Sequence, residues 1–196
     1  MQSFSRYNNG MKYLLTVIDI FSRYGWIVPL KNKTGLEVAN ALKKIFKERK
    51  PDKLWVDKGK EFYNSHVQKL ITLYSTENEE KSSMVERWNR TMKEKMFKYF
   101  SANSTRKYID ILDKLVDQCN NKIHSSTGMS PKEVNETKNE TTVWRKLYDD
   151  YVPAKRNSKS QIKSELPGRK EFSKKAILRD GQKKFLQFQK FDIQTR

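Results

Sequence analysis

The 196-residue chain carries 41 Lys and Arg against 23 Asp and Glu, a formal charge of +18. A surplus of this size attracts polyanions, with nucleic acid the first partner it suggests and an anionic membrane surface the second. A single cysteine, Cys119, excludes a disulfide framework and a cysteine-based zinc site. No apolar run is long enough to span a bilayer and none follows Met1 as a secretory signal requires, so an intracellular, reducing compartment (nucleus or cytoplasm) is expected, with no membrane partner.

In chain order, Asn9-Gly10 is the strongest short hairpin signal and predicts a strand before it, for which only residues 1–6 are available. The β-branched and aliphatic run Tyr13–Ile18 reads as a strand, Trp26–Leu30 as a second, and the interval from Asp19 to Gly25 as their connection. Thr34-Gly35-Leu36-Glu37 reads as a capping box opening a helix with Val38, Ala41, Leu42, Ile45 and Phe46 on one face. Pro51 closes that segment. Lys53–Val56 then reads as a short buried strand, residues around His66, Val67 and Leu70 as a short helix, and Ile71–Tyr74 as another strand.

Met84, Trp88, Met92, Met96 and Phe100 recur every fourth residue and mark one face of a long helix. Leu112, Leu115, Val116, Cys119 and Ile123 mark the face of a further helix that ends before Gly128 and Pro131. Strands alternating with helices in this order predict an α/β layer arrangement over about residues 1–150. Residues 151–196 change character: Pro153, Pro167, Gly168 and a dense run of Lys, Arg and Ser read as a basic linker or tail. Its cations serve either as a phosphate-contacting arm or as solvated chain. Ala176–Leu178 and Phe185–Phe188 flank Asp180-Gly181 and suggest a small hairpin over 176–189.

Two carboxylates stand out. Asp57 closes the third strand just before Gly59, where an α/β sheet places its ligands, although an aspartate also commonly starts a turn. Glu86 lies in the first turn of the long helix, where Ser83-Met84-Val85-Glu86 equally fits a capping box. Lys58, Lys60, Lys81, Arg87 and Arg90 surround the two acids in sequence. Carboxylates among cations suit a site where divalent ions hold a phosphodiester and the cations hold its neighbours, because each ion of a pair activates or stabilises one oxygen of an in-line displacement. The histidines, His66 and His124, have no metal-ligand spacing. Trp88 falls on the helix stripe and is expected in the core rather than stacked on a base.

Four segments, in order, resemble a retroviral-type integrase catalytic core of the Polinton/Maverick or related transposon-derived kind: residues 11–31, 54–64 (LWVDKGKEFYN), 79–96 (EEKSSMVERWNRTMKEKM) and 120–134 (NNKIHSSTGMSPKEV). The resemblance implies a ribonuclease H-like mixed sheet flanked by helices, and a basic C-terminal tail. It also implies two Mg²⁺ or Mn²⁺ ions and an acidic triad that cuts and joins DNA. DNA is the implied partner, and a homo-oligomer a further expectation.

Residue by residue, Asp57 matches the second acid and Glu86 the third, and both are expected to be catalytic metal ligands. Lys58, Lys60, Lys81, Arg87 and Arg90 are expected to contact phosphates. Asp19 matches not the first acid but a recurrent aspartate near the end of the second strand, and is expected to be structural. In the family the first acid lies just upstream of a sequence like that at Met1. The chain is therefore expected to be truncated at its amino end, with the first strand largely missing and residues 1–5 as its stump. The interval from Asp57 to Glu86 is also shorter than the family's by roughly two helical turns. An inactive enzyme is the expectation. The alternative is a non-catalytic nucleic-acid-binding or protein-interaction module, domesticated or decayed from an integrase.

Overall fold

The structure is a computed structural model that describes residues 2–56, 59–74, 83–148 and 185–191. A short 3-10 helix, Gln2–Tyr7, precedes β1 (Tyr13–Asp19) and β2 (Gly25–Leu30). Helix α1 (Gly35–Glu48), β3 (Lys53–Trp55), α2 (Ser65–Gln68) and β4 (Thr72–Tyr74) follow. Four helices come next: α3 (Ser83–Ala102), α4 (Leu112–Asn120), α5 (Pro131–Val134) and α6 (Thr137–Tyr148). The final strand, β5, is Phe185–Phe191.

The five strands form one mixed sheet in the order β2-β1-β5-β3-β4. β1 pairs antiparallel with β2, Leu15 opposite Val28 and Val17 opposite Trp26. Its other edge pairs antiparallel with β5, Thr16 opposite Gln189 and Val17 opposite Phe188. β5 in turn runs parallel to β3, Leu54 level with Leu186. A strand from the far end of the chain thus sits at the centre of the sheet, between the hairpin β1–β2 and the parallel pair β3–β4.

Alternation along β1 sends its side chains into two cores. Leu15 and Val17 join Trp26, Leu54, Val67 and the apolar face of α1 on one side. Leu14 and Ile27 meet Met92, Met96 and Phe100 of α3 and Leu112 of α4 on the other. The expected stripe of α3 is therefore core, with Met92 and Met96 fully buried. In α4 the helix stops at Asn120, one turn short of the expected face, and Ile123 is 69% exposed instead of packed. Helix α6, which buries Val143 and Tyr148, had no counterpart in the sequence reading.

Two local expectations are corrected by packing. Residues 2–7 are a helix rather than the stump of a strand, although Asn9 and Gly10 do make the turn at φ 53° and 76°. Phe4 is buried edge-on against Phe100, ring centroids 5.8 Å apart. Buried Asn8 then anchors the segment: its side-chain amide donates to the carbonyls of Phe4 (2.9 Å) and Arg106 (3.0 Å), and its Oδ1 accepts from the N–H groups of Tyr108 (2.7 Å) and Ile109 (3.2 Å). The capping box at α1 is half-formed. Thr34 caps Glu37 N–H, but the Glu37 carboxylate accepts from Lys31 N–H (2.6 Å) and Asn32 N–H (2.9 Å), upstream of the cap. A complete box opens α5 instead, between Ser130 and Glu133.

In the tail, residues 186 and 187 are hydrogen-bonded to strands on both sides; the expected hairpin partner, 176–178, lies outside the described residues.

Gly25 starts β2 where the indole of Trp88 lies directly against its backbone, and a Cβ there would overlap the ring. Gly25→Ala is expected to destabilise the fold by about 1–3 kcal/mol through overpacking, read as a lowered urea midpoint with altered Trp fluorescence. An unchanged midpoint would mean that α3 does not press on β2 here.

Candidate functional site

The turn from Asp19 to Gly25 shows how the first candidate acid is used. Asp19 ends β1 and is 4% exposed. Its Oδ1 accepts from Phe21 N–H at 3.0 Å and its Oδ2 from the Ser22 hydroxyl at 2.8 Å, so the side chain closes the turn on itself. The backbone does the rest: Asp19 N–H donates to Tyr24 carbonyl and Arg23 N–H to Asp19 carbonyl, both at 2.8 Å, with Arg23 at φ 65°.

Arg49, just past α1, completes the arrangement. Its guanidinium pairs with Asp19 Oδ2, donates to the Ser22 hydroxyl at 3.1 Å, and lies over the rings of Tyr24 and Trp26. Trp26 Nε1 donates to Glu48 at 2.9 Å, fixing the other side of the same corner. Asp19 therefore carries a charge already matched by Arg49 and by two further donors. Its role is structural, as the sequence reading expected. No sequence signal singled out Arg49, because its partner lies across the sheet corner; only the Asp19–Ser22 spacing hinted at a side-chain-closed turn.

A second joint ties the helices to the same corner. Asn120 at the end of α4 donates to Gly25 carbonyl and accepts from Gly25 N–H, each at 2.9 Å, and is buried. Arg23 reaches inward to the Ile20 carbonyl and the Met84 sulfur at the start of α3. Burial lowers the pKa of its guanidinium, and nearby Arg87 pushes the same way. Burial also lowers the pKa of the His124 imidazole, assisted by Arg23 and Arg87. His124 Nδ1 lies 2.9 Å from the Ser126 hydroxyl and accepts from Ser126 N–H at 3.3 Å, a loop-closing role. Tyr148 is pushed up to about 12 by burial.

The other candidates fall as follows. Asp57, Lys58 and Lys81 lie outside the described residues. Glu86 stands in the first turn of α3, half-buried, where a negative charge suits the positive end of the helix. Arg87 and Arg90 are exposed on the same helix and Lys60 is exposed in the turn after β3. β3 stops at Trp55, two residues before Asp57, and lies alongside β5; α3 packs across β5 and β1. Strand β3 and helix α3 thus both meet β5, while Asp57 itself lies outside the described residues. Among the described residues no group of three or more His, Cys, Asp or Glu could hold a metal ion, and no helix is long and apolar enough to cross a membrane. Glu86 is a hard oxygen donor of the kind Mg²⁺ takes.

Arg49→Ala leaves Asp19 buried without its counter-charge and is expected to cost about 3 kcal/mol in chemical denaturation. The Asp19→Asn/Arg49→Met pair is expected to recover part of that loss; additive losses would mean the two do not act as a unit. His124 sets a pH dependence. Its folded pKa lies below its unfolded value of about 6.5, so the unfolded state binds the proton more readily. Its contribution is complete above that value and is lost as pH falls through the folded pKa. The decline in thermal midpoint on acidification is expected to be shallower in His124→Gln; an equal decline would place His124 in solvent.

Residues 4–79 match the integrase core domain family. A transposon-derived protein of Caenorhabditis elegans is 40% identical over 141 residues, 68% of this chain and 49% of that protein. The Pol polyprotein of a radiation murine leukemia virus is 32% identical over 136 residues, 64% of this chain and 23% of the polyprotein. The chain therefore spans about half the length of the first of these relatives and about a quarter of the second. Among solved structures, the HTLV-2 integrase catalytic core superposes with a TM-score of 0.53 at 21% identity, over 63% of this chain and 85% of that one. A simian T-cell lymphotropic virus intasome chain superposes with a TM-score of 0.60 at 20% identity, over 78% of this chain and 54% of that one. In the sequence of residues 4–79 and in its mixed, helix-flanked sheet, the chain resembles the integrase catalytic cores of retroviruses and transposons.

Proposed function

We propose that this domain stems from a DNA-integrating element whose reaction is metal-dependent attack of water or a DNA 3′-hydroxyl on a phosphodiester, and that the chain now binds DNA without completing that reaction. The observation that carries the reading is that β3 pairs with β5 and α3 packs against β5, Asp57 following β3 by two residues in sequence and Glu86 lying in the first turn of α3. Asp57 and Glu86 are the carboxylates that would hold Mg²⁺ or Mn²⁺, and the ion would activate the attacking oxygen and stabilise the leaving one. The magnesium in the HTLV-2 core supports a divalent ion here.

Lys58, Lys60, Lys81, Arg87 and Arg90 would hold flanking phosphates, which orients the scissile bond and sets register without reading sequence. The trimeric HTLV-2 core and the intasome support self-association on DNA. The proposed compartment is nuclear or cytoplasmic.

The use of Asp19 supports the proposed inactivity: a third carboxylate would be needed beside Asp57 and Glu86, and Asp19, on the neighbouring hairpin, is already held by Arg49 and Ser22. The same fact favours the alternative reading as a nucleic-acid-binding module, since the charge of +18 remains whether or not the acids work.

The test uses the full chain on labelled duplex DNA. Binding is expected to weaken with salt, and Arg87→Ala/Arg90→Ala to lower the log–log salt slope by about 2. Mn²⁺-dependent nicking is expected to stay at the level of an Asp57→Asn/Glu86→Gln control. Nicking well above that control would show a complete site and contradict the proposal of inactivity.

A further inference from the structure

β5 occupies a position that the rest of the sheet cannot leave empty. On one side lie the buried backbone groups of Leu14–Asp19, on the other those of Lys53–Trp55, and both edges are bonded to it. Withdrawing β5 would split the sheet into β2–β1 and β3–β4 and expose two unpaired, apolar edges, which bind extended chain avidly. Its sequence, FLQFQKF, is nevertheless poor for the place. A strand paired on both edges inside a sheet is usually a continuous apolar run, and this one holds Gln187, Gln189 and Lys190. Ladder pairing on both edges is what the slot offers any extended segment that enters it.

We propose that the space between β1 and β3 is a strand-acceptor site, recognising an extended segment antiparallel to β1 and parallel to β3, and that residues 185–191 of the same chain fill it as an exchangeable plug. Recognition is of the strand-addition kind: ladder hydrogen bonds supply affinity, and register is set by Val17 against Phe188 and Leu54 against Leu186. Covalent tethering holds the plug at an effective concentration in about the millimolar range. The strand of the same chain therefore outcompetes that of a second copy at micromolar protein. Where the metal-dependent reading above holds, occupancy also positions β3, which precedes Asp57 in sequence, and α3, which carries Glu86; the acceptor site itself does not rest on that reading.

Disulfide trapping in the full chain tests this without DNA or metal. With Cys119→Ser as background, Val17→Cys/Phe188→Cys is expected to oxidise to a cross-linked monomer. A covalent dimer would place the strand of another copy in the slot, and no cross-link would empty it; either overturns the proposal. Exchange is tested on the full-length Val17→Cys/Cys119→Ser chain, with excess synthetic peptide of residues 185–191 carrying Phe188→Cys. A peptide adduct that at least tenfold excess of an unmodified 185–191 peptide suppresses is expected. No adduct, or one that the competitor does not suppress, means that the plug is not exchangeable. Phe188→Pro in the full chain removes a ladder donor from a strand paired on both sides. That variant is expected to capture fluorescein-labelled 185–191 peptide more strongly than the parent chain, and equal capture would overturn the proposal.

Discussion

The pairing of β5 with β1 on one edge and β3 on the other is the constraint on which this architecture depends. It is the only connection in the described sheet between the antiparallel hairpin and the parallel pair. Both cores use that continuity. Leu15 and Val17 of β1 and Leu54 of β3 share the layer under α1, and α3 lies across β5 and β1 on the opposite face. Without the middle strand the two halves would have no hydrogen-bonded register, and β3 and α3 would lose their common neighbour.

The corner at Asp19 is the second fixed point, and it explains why a buried acid at the end of a central strand need not be a metal ligand. Its carboxylate is nearly dry and meets a guanidinium, a hydroxyl and a backbone N–H. A buried charge so matched is costly to disturb, because removing one partner leaves the other without solvent or counter-ion. Arg49 also stacks on Tyr24 and Trp26, so the pair closes the hydrophobic layer as well as the turn. From the same corner, Asn120 and Trp88 fasten Gly25 to the two helices behind the sheet.

How much of this was legible in the sequence depends on the range of each interaction. Tyr13–Ile18, Trp26–Leu30 and the fourfold stripe of α3 were readable because burial imposes a local period on apolar residues. The turn at Asn9-Gly10 was readable from its chemistry, but what precedes a turn is not encoded in it; Phe4 and Asn8 make residues 2–7 helical through contacts about a hundred positions away. The central place of β5 is not readable for the same reason. Its interrupted pattern fits a solvated hairpin, and only pairing with β1 and β3, both remote in sequence, places it centrally. For the candidate site, the order of four motifs pointed to Asp57 and Glu86, whereas Arg49, Arg23 and Asn120 act through partners that no spacing reveals.

Amide hydrogen exchange along β1 tests the central placement of β5 most directly. In an antiparallel strand successive N–H groups point alternately to the two neighbours. Pairing on both edges predicts uniform protection of the amides of Leu15, Thr16, Val17 and Ile18, near the global stability limit. Alternating protection, with every second amide exchanging fast while those facing β2 stay slow, would show that the β1 edge is open and contradict the account.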